Sequence, residues 1–480
     1  MRIREARIQR ECSRYLHLTV AVLLASVTLA ITACGKSKPE GSGGGGGSSG
    51  GFGGAGPWPI ENRQYGASDG IAESPVIGAS TDEAQNLWVA THAALYLLKP
   101  GEARFHRYTA TDGLHLKDNP VRYCDDWAPN HECPIFGAAA DPGITEIVGG
   151  SNGEVFVGYA GTMNGDGSWT DRDRHSGGLD RVRLNADGSL AVTRLQMVAG
   201  VSAEFWHDRT VERLVYDHFQ HPHELYVGTN HGVDLMRPDK YRDPKPDEWF
   251  NDVNKEWMAD HLHPRVCYHR ACTDDSNQRL GDFRGLALSP DGDVWVAGRW
   301  TAGKIRWTSS LTDWFSRRGS QSFPVAFGDP YPVAPNADGF INEPVFRPPL
   351  EGDPVSLSAG AVAKDGRVWF ASGAGYGDPT YGVAFWDGRK FTVLNPTSEL
   401  GMAEPAVQDL VALPDGRMVL AGASTGLVVY DPASGSHTPL RGTQWLPSDH
   451  VLRLELDQMV NPPALHVATA AGVAVIRKLP

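Results

Sequence analysis

Five histidines, His207, His218, His221, His223 and His231, lie within 25 residues. Imidazoles that close in sequence could ligate a transition metal. Gly422-Ala423-Ser424-Thr425-Gly426 has the G-x-S-x-G spacing that raises a serine nucleophile. That elbow needs a strand, a strained turn and then a helix. Here the following run, GLVVY, alternates like a strand, so the motif reads as a turn. Gly373, Gly375 and Gly377 are spaced like a phosphate cradle, but no helix start follows to hold an anion. The segment 164–175, NGDGSWTDRDRH, is rich in oxygen ligands. It lacks the glycine and terminal glutamate of a regular twelve-residue calcium loop. That leaves an irregular calcium site near Asp166, Asp171 and Asp173, or a solvated polar loop. No cofactor is expected.

Cysteine and tryptophan use points to loops. Cys124 and Cys133 form one close pair, Cys267 and Cys272 another. In an oxidising compartment such pairs read as local disulfides that clamp loops. Metal binding by C-x4-C is the weaker reading, because no second pair has zinc-ribbon spacing. Trp88, Trp295 and Trp369 sit in strand patterns and belong to the core. Trp127, Trp169, Trp206, Trp249, Trp257 and Trp300 fall in or beside long insertions. Exposed tryptophans favour glycan stacking or protein contacts. Buried ones would form private cores for the loops.

What must position these residues is a repeat. An apolar strand ending in small residues recurs as NLWVAT (86–91), EVFVGY (154–159), ELYVGT (224–229), DVWVAG (293–298), RVWFAS (367–372), RMVLAG (417–422) and ALHVAT (464–469). Asn152-Gly153, Asp291-Gly292, Asp365-Gly366 and Asp415-Gly416 precede several copies and suit two-residue hairpins with both central residues at positive φ. A third strand follows most copies, as in GVDLM (232–236), GVAFW (382–386) and GVAVI (472–476). Period-two alternation over short runs, repeated this way, reads as the blades of a β-propeller.

The first complete unit resembles the two-component-regulator propeller repeat of bacterial sensors. Asn86-Leu87-Trp88-Val89-Ala90-Thr91, Leu95-Tyr96, Phe105, Tyr108 and Asp112-Gly113-Leu114 carry the resemblance. A further internal match sits near the ends. NRQYGASDGI at 62–71 and FHRYTATDGL at 105–114 share Tyr65/Tyr108, Ala67/Ala110, Asp69/Asp112 and Gly70/Gly113 at a constant offset of 43. If 105–109 is the outer strand of the first blade, 60–65 is an outer strand too. The expected fold is therefore an all-β, seven-bladed β-propeller of four-stranded antiparallel blades. It is closed by an N-terminal strand pairing with the C-terminal blade.

The early repeats are spaced by 68 to 74 residues and the last ones by 50 and 47. A plain blade needs about 40–50. The insertions at about 115–143, 161–178, 199–209 and 317–354 fall in second-to-third-strand turns and blade-to-blade crossings, which share one face; 240–283 is ambiguous. Long loops on a rigid scaffold carry binding. Trp127, Trp169, Trp206, His207, His231 and Trp300 are therefore the ligand-face candidates. In the same meander His218, His221 and His223 lie on the opposite face from His207 and His231. The five cannot converge on a metal, which leaves solvated or capping roles.

Composition and the N-terminus set the compartment. Of 480 residues 88 are Gly or Pro, about 18%, which favours turns over helical bundles. The net charge of −13 argues against a nucleic-acid partner. Arg2, Arg4, Arg7, Arg10 and Arg14 precede an apolar run from about Leu18 to Ala33. Ile31-Thr32-Ala33-Cys34-Gly35 resembles a bacterial lipobox. The resemblance implies a lipoprotein signal peptide over 1–33, lipid on Cys34, membrane anchoring and, with Gly35 in place of a retention Asp, an outer-membrane destination. Cleavage would remove five Arg and two Glu and move the charge from −13 to −16. Residues 34–57 hold the lipidated Cys and a Gly/Ser tether spanning about 25 Å. The propeller occupies 58–480.

These readings describe a lipid-anchored envelope module binding a protein or glycan through its inserted loops. The alternatives are a propeller-type lyase or hydrolase acting on an envelope or extracellular substrate, or a structural subunit. Peptide mapping with and without reduction should recover Cys124 linked to Cys133 and Cys267 linked to Cys272. Free thiols at all four positions would remove the clamps.

Overall fold

The computed structural model describes residues 62–116, 118–119, 121–122, 135–136, 143–161, 177–195, 210–229, 233–242, 257–262, 265–267, 277–279, 283–298, 302–305, 342–343, 357–372, 382–388 and 391–480. Cys34, Cys124, Cys133, Cys272, Trp127, Trp169, Trp206, His207, His231, Trp300, Asp166, Asp171 and Asp173 lie outside them. Of Cys267 only its place at the end of a strand is described.

The architecture is an all-β propeller of four-stranded antiparallel blades. Strand β1 (Arg63–Tyr65) comes first in the chain. A blade follows from β2 (Val76–Thr81), β3 (Leu87–Thr91), β4 (Leu95–Leu98) and β5 (His106–Tyr108). After the small ribbon β6 (Val121–Arg122) and β7 (Ile135–Phe136) comes a blade of β8 (Ile144–Gly149), β9 (Glu154–Tyr159), β10 (Gly178–Leu184) and β11 (Leu190–Leu195). The next has β12 (Val211–Asp217), β13 (Glu224–Thr229), β14 (Val233–Met236) and β15 (Met258–Leu262). That last strand supplies the member which the 240–283 sequence left ambiguous.

A second ribbon, β16 (Arg265–Cys267) with β17 (Asn277–Arg279), precedes the blade of β18 (Gly285–Leu288), β19 (Val294–Ala297), β20 (Ala302–Ile305) and β21 (Asn342–Glu343). Then come β22 (Leu357–Val362), β23 (Val368–Ser372), β24 (Val383–Trp386) and β25 (Phe391–Leu394). They are followed by β26 (Asp409–Ala412), β27 (Met418–Gly422), β28 (Gly426–Asp431) and β29 (Ser436–Leu440). The chain finishes on β30 (Val451–Asp457), β31 (Ala464–Thr469) and β32 (Gly472–Ile476), with β1 as their fourth member. Among the described residues no helix is long and apolar enough to cross a membrane.

Each recurrent motif is the second strand of its blade, buried on both faces. That burial is why these runs are nearly all apolar rather than alternating. Trp88 and Trp369 are fully buried and Trp295 nearly so. Trp257 is also core: it packs edge-on to Tyr241 at 4.6 Å beneath the third blade.

The hairpins depart from the sequence expectation in one respect. Gly292, Gly366 and Gly416 have φ of 83°, 84° and 99°, whereas the aspartates before them do not take positive φ. Each glycine N–H bonds back three residues, to the carbonyls of Ser289, Ala363 and Leu413. The loop is thus a type I turn closed by a left-handed glycine rather than a two-residue turn. Asp365 and Asp415 use their side chains instead, each accepting the N–H two residues on at 3.0 Å.

The internal match at offset 43 has a physical cause. After β1 and after β5 the chain makes the same one-turn helix, at Ala67–Asp69 and Ala110–Asp112. Asp69 accepts from Gly66 N at 2.9 Å and Asp112 from Thr109 N at 2.8 Å. Gly70 and Gly113 end the turns at φ 105° and 99°. Both preceding strands are outermost in their blades. β1 pairs antiparallel with β32, Arg63 opposite Val475 and Tyr65 opposite Val473. Asn62 fastens the same edge by accepting from Arg477 N and Lys478 N.

Tyr65 turns inward and meets Phe105 edge-on at 5.6 Å. Tyr65→Ala should lower unfolding free energy by about 3–5 kcal/mol, as for other buried aromatics. Urea unfolding checks it; a change below about 1 kcal/mol would mean that β1 contributes little.

Candidate functional site

The first strand of every blade lies innermost, and neighbouring first strands touch: β2 with β8, β8 with β12, β12 with β18, β18 with β22, β22 with β26, β26 with β30 and β30 with β2. Such close approach excludes bulk on the second strands behind them. A Cβ on Gly158 would stand 2.5 Å from Val211 Cγ1, and one on Gly228 would stand 2.2 Å from the Phe283 carbonyl. This is why the recurrent motif ends in small residues.

Opposite those small residues the inner strands carry charge. Glu146 pairs with Gly158, Arg213 with Gly228, Asp409 with Ala421 and Arg453 with Ala468. The corresponding positions elsewhere are Gly78, Gly285 and Ala359. These leave room for long side chains to reach blades that are not adjacent. Arg213 Nη1 lies 3.0 Å from Asp409 Oδ2, joining β12 to β26. Arg453 pairs with Glu146, joining β30 to β8 past the blade that contributes Gly78. Asp409 also accepts from Leu410 N and Leu454 N, both at 2.9 Å. Desolvation pushes the Glu146 carboxyl up, against the pull of Arg453 and Arg213. The result is a layer of two ion pairs across the middle of the propeller.

Above this layer is a cavity of about 600 Å³, within the usual range for small-ligand sites of about 300–1,000 Å³. Its wall one step along the inner strands is Val148, Val215, Ala287, Ala361 and Val411. Glu455 faces these apolar neighbours. Its Oε1 accepts from Ser80 Oγ at 2.5 Å, and Ser80 Oγ accepts from Gly149 N at 2.6 Å. Desolvation, opposed by the Ser80 hydrogen bond and reinforced by Asp457 and Glu146, raises Glu455 to about 8. His466, its cross-strand partner, is buried and lowered to about 4 by desolvation.

The cavity reaches the first-to-second-strand turns: 217–220, 289–290, 363–364, 413–414 and 457–459. In the 217–220 turn Asp217 accepts from Phe219 N, Gln220 N and His221 N at 2.7–2.9 Å. That turn holds Phe219 at the rim, 58% exposed. Asp457 likewise ties down its turn, accepting from Thr81 Oγ1 and Met459 N at 2.8 Å.

Of the histidines, His218, His221 and His223 share the 217–223 turn but have separate partners. His218 meets Glu83 at 3.3 Å, and desolvation lowers it. His221 lies 3.5 Å from Asp217, and His223 bonds Tyr216 Oη at 2.8 Å. Among the described residues no three His, Cys, Asp or Glu are grouped to hold a metal. The Ser424 motif is a β27–β28 turn held by Glu404, which accepts from Ser424 N at 2.6 Å and Thr425 N at 3.1 Å. Near the start of the first insertion, His115 Nδ1 meets Asp180 at 2.6 Å, and Tyr159 Oη donates to the same carboxylate at 2.6 Å. These contacts latch the exit of the first blade onto the second.

The inner-strand charges were missed from sequence because they lie outside the recurrent motif. A usable signal existed. Each stands 12 or 15 residues before the motif's small residue, as Glu146 does before Gly158 and Arg453 before Ala468.

No protein-family model matches the chain, and no curated protein matches it. Among solved structures it is similar to a streptogramin B lyase, at 9% identity and TM-score 0.46 over 86% of this chain and 96% of that one. Another is YCF48 bound to D1 peptide, at 11% and 0.43 over 86% and 95%. A third is the extracellular domain of a one component system from B. thetaiotaomicron, at 11% and 0.32 over 84% and 39%. These likenesses carry nothing about activity. The propeller rests on the strand topology.

Arg213→Met should cost about 3–5 kcal/mol in urea unfolding, because Asp409 is left buried without its countercharge. Adding Asp409→Asn should restore more than half of it. Equal losses in the single and double variants would mean that the pair does not couple.

Proposed function

We propose that this chain is a lipid-anchored recognition module of the cell envelope. In this reading it is a seven-bladed ring, closed where β1 joins the C-terminal blade, which binds a protein or glycan and does no chemistry on it. The β1–β32 register and the cyclic succession of inner-strand contacts support the ring. Lipid on Cys34 and the following tether would hold the body off the outer membrane. The charge of −13 suits no nucleic-acid partner.

The observation that carries the binding reading is the cavity. Its charged floor is committed to itself through Arg213–Asp409 and Arg453–Glu146. Its mouth presents Phe219 and Met459 on turns tied by Asp217 and Asp457, beside Pro290 and Pro414. Rigid turns with exposed apolar tips bind without a large ordering cost. This mouth lies on the first-to-second-strand face, opposite the face to which the sequence assigns the long insertions. The recognition surface proposed here includes it.

The test has two steps. Detergent phase partition should place the full chain in the detergent phase and a variant lacking residues 1–34 in the aqueous phase. The aqueous variant then serves as bait for purified envelope proteins and immobilised glycans, alone and with Phe219→Asp. At least tenfold weaker capture by Phe219→Asp is expected. Unchanged capture would remove the mouth from the reading, and no capture of either class would remove the reading itself.

A further inference from the structure

Glu455 stands in the cavity wall one step above the charged floor. Glu455 lies two to three residues below the rim at Asp457 and Gln458, a depth of about 7–10 Å at 3.3 Å per residue. At the level of Glu455 the wall is Val148, Val215, Ala287, Ala361 and Val411. One carboxyl oxygen is held by Ser80. A group that engages the other must be polar at its tip and apolar where it passes these residues.

Charge decides which polar tip fits. The ionisable groups among the described lining residues are Glu146, Arg213, Tyr216, Asp217, His218, Lys364, Glu455 and Asp457. Arg453 neutralises Glu146, and Asp409 neutralises Arg213. His218 is lowered by burial, so it adds no positive charge at neutral pH. Asp217, Asp457 and Glu455 then face a single Lys364, which is exposed at the rim. The cavity around Glu455 is complementary to a cation. The apolar wall suits an aliphatic stem behind that cation.

We propose that the cavity is a binding site for a primary ammonium at the end of an aliphatic chain, with Glu455 as its counterion. This deepens the binding reading above and rests on it. The same chemistry is offered by a lysine side chain on a partner protein and by a free alkylamine. When the ammonium enters, Glu455 gives its proton to solvent and becomes the carboxylate that pairs with it. No bond to carbon forms or breaks.

The experiment is titration calorimetry on the variant lacking residues 1–34 at pH 7 with n-hexylamine, n-hexanol, Nα-acetyl-lysine amide and its Nε-acetyl derivative. The two amines should bind. Hexanol and the acetylated lysine should bind at least tenfold more weakly. Amine binding should release close to one proton, read from the dependence of the heat on the ionisation enthalpy of the buffer. At pH 9, where Glu455 is already ionised, the release should vanish. Glu455→Gln preserves the shape and the Ser80 contact. It should weaken the amines at least tenfold with no loss of melting temperature.

Equal binding of hexanol and hexylamine would overturn the ammonium assignment, and so would amine binding without proton release. Either result leaves the recognition reading standing if Phe219→Asp still reduces capture. Hexylamine binding without lysine amide binding would assign the site to free amines. Binding of both would admit a partner's lysine.

Discussion

The constraint on which the structure depends is the closeness of neighbouring blades at their inner edges. Twisted sheets that stand side by side around an axis are nearest at the first strand, and the second strand must then yield space. The chain meets this with Gly or Ala at one position of each recurrent motif, from Ala90 to Ala468. Gly228 and Gly158 show the tolerance: an added Cβ would overlap the next blade's backbone or its Val211. Because the inner strands pack this tightly, a side chain placed on them is largely desolvated. Charges there must find partners across the axis.

That requirement explains the two crossing pairs. A buried ion pair seldom adds much stability over an apolar substitute, since desolvation offsets the attraction. Its stronger effect is selective, because losing one member strands the other. Arg213 with Asp409 and Arg453 with Glu146 each link blades distant in the chain. Asp409 adds backbone hydrogen bonds from β26 and β30. The pairs therefore favour one arrangement of blades over slipped ones, and they floor the cavity. Glu455, one step along β30, has no such guanidinium and stands among valines and alanines. Two glutamates of one propeller thus differ in their partners, a guanidinium for Glu146 and a serine hydroxyl for Glu455.

The repeating second strands were legible because burial on both faces leaves a run of large apolar residues ending small, and that pattern survives divergence. The outer-strand match at 62–71 and 105–114 was legible because Asp69 and Asp112 each accept a backbone N–H and each turn needs a left-handed glycine. Chemistry of that kind restricts residue type. The three-residue hairpins were misjudged, since Asp-Gly suits either loop and only the strand register distinguishes them. Trp257 looked like a loop residue and is core, because β15 returns to cover the third blade late in an insertion. The cavity was illegible: Glu146, Arg213, Asp409 and Arg453 come from blades far apart in sequence, and each alone looks like a polar residue at a strand start.

The same geometry bears on where recognition sits. Equivalent positions in a ring of repeats would, if identical, line the axis with one residue type and distinguish no ligand by orientation. Here the second strands remain alike while the inner strands diverge: Ser80, Val148, Val215, Ala287, Ala361, Val411 and Glu455 occupy one level. Most are apolar, and the two polar members bond to each other. Small residues on β18 and β22, Ala287 and Ala361, leave room on one side of this level. Departure from repetition at this level does not improve blade packing, which Gly and Ala on the second strands already satisfy. It gives the axis a direction and a single polar address, which is what a ligand threading it from the turn face would read.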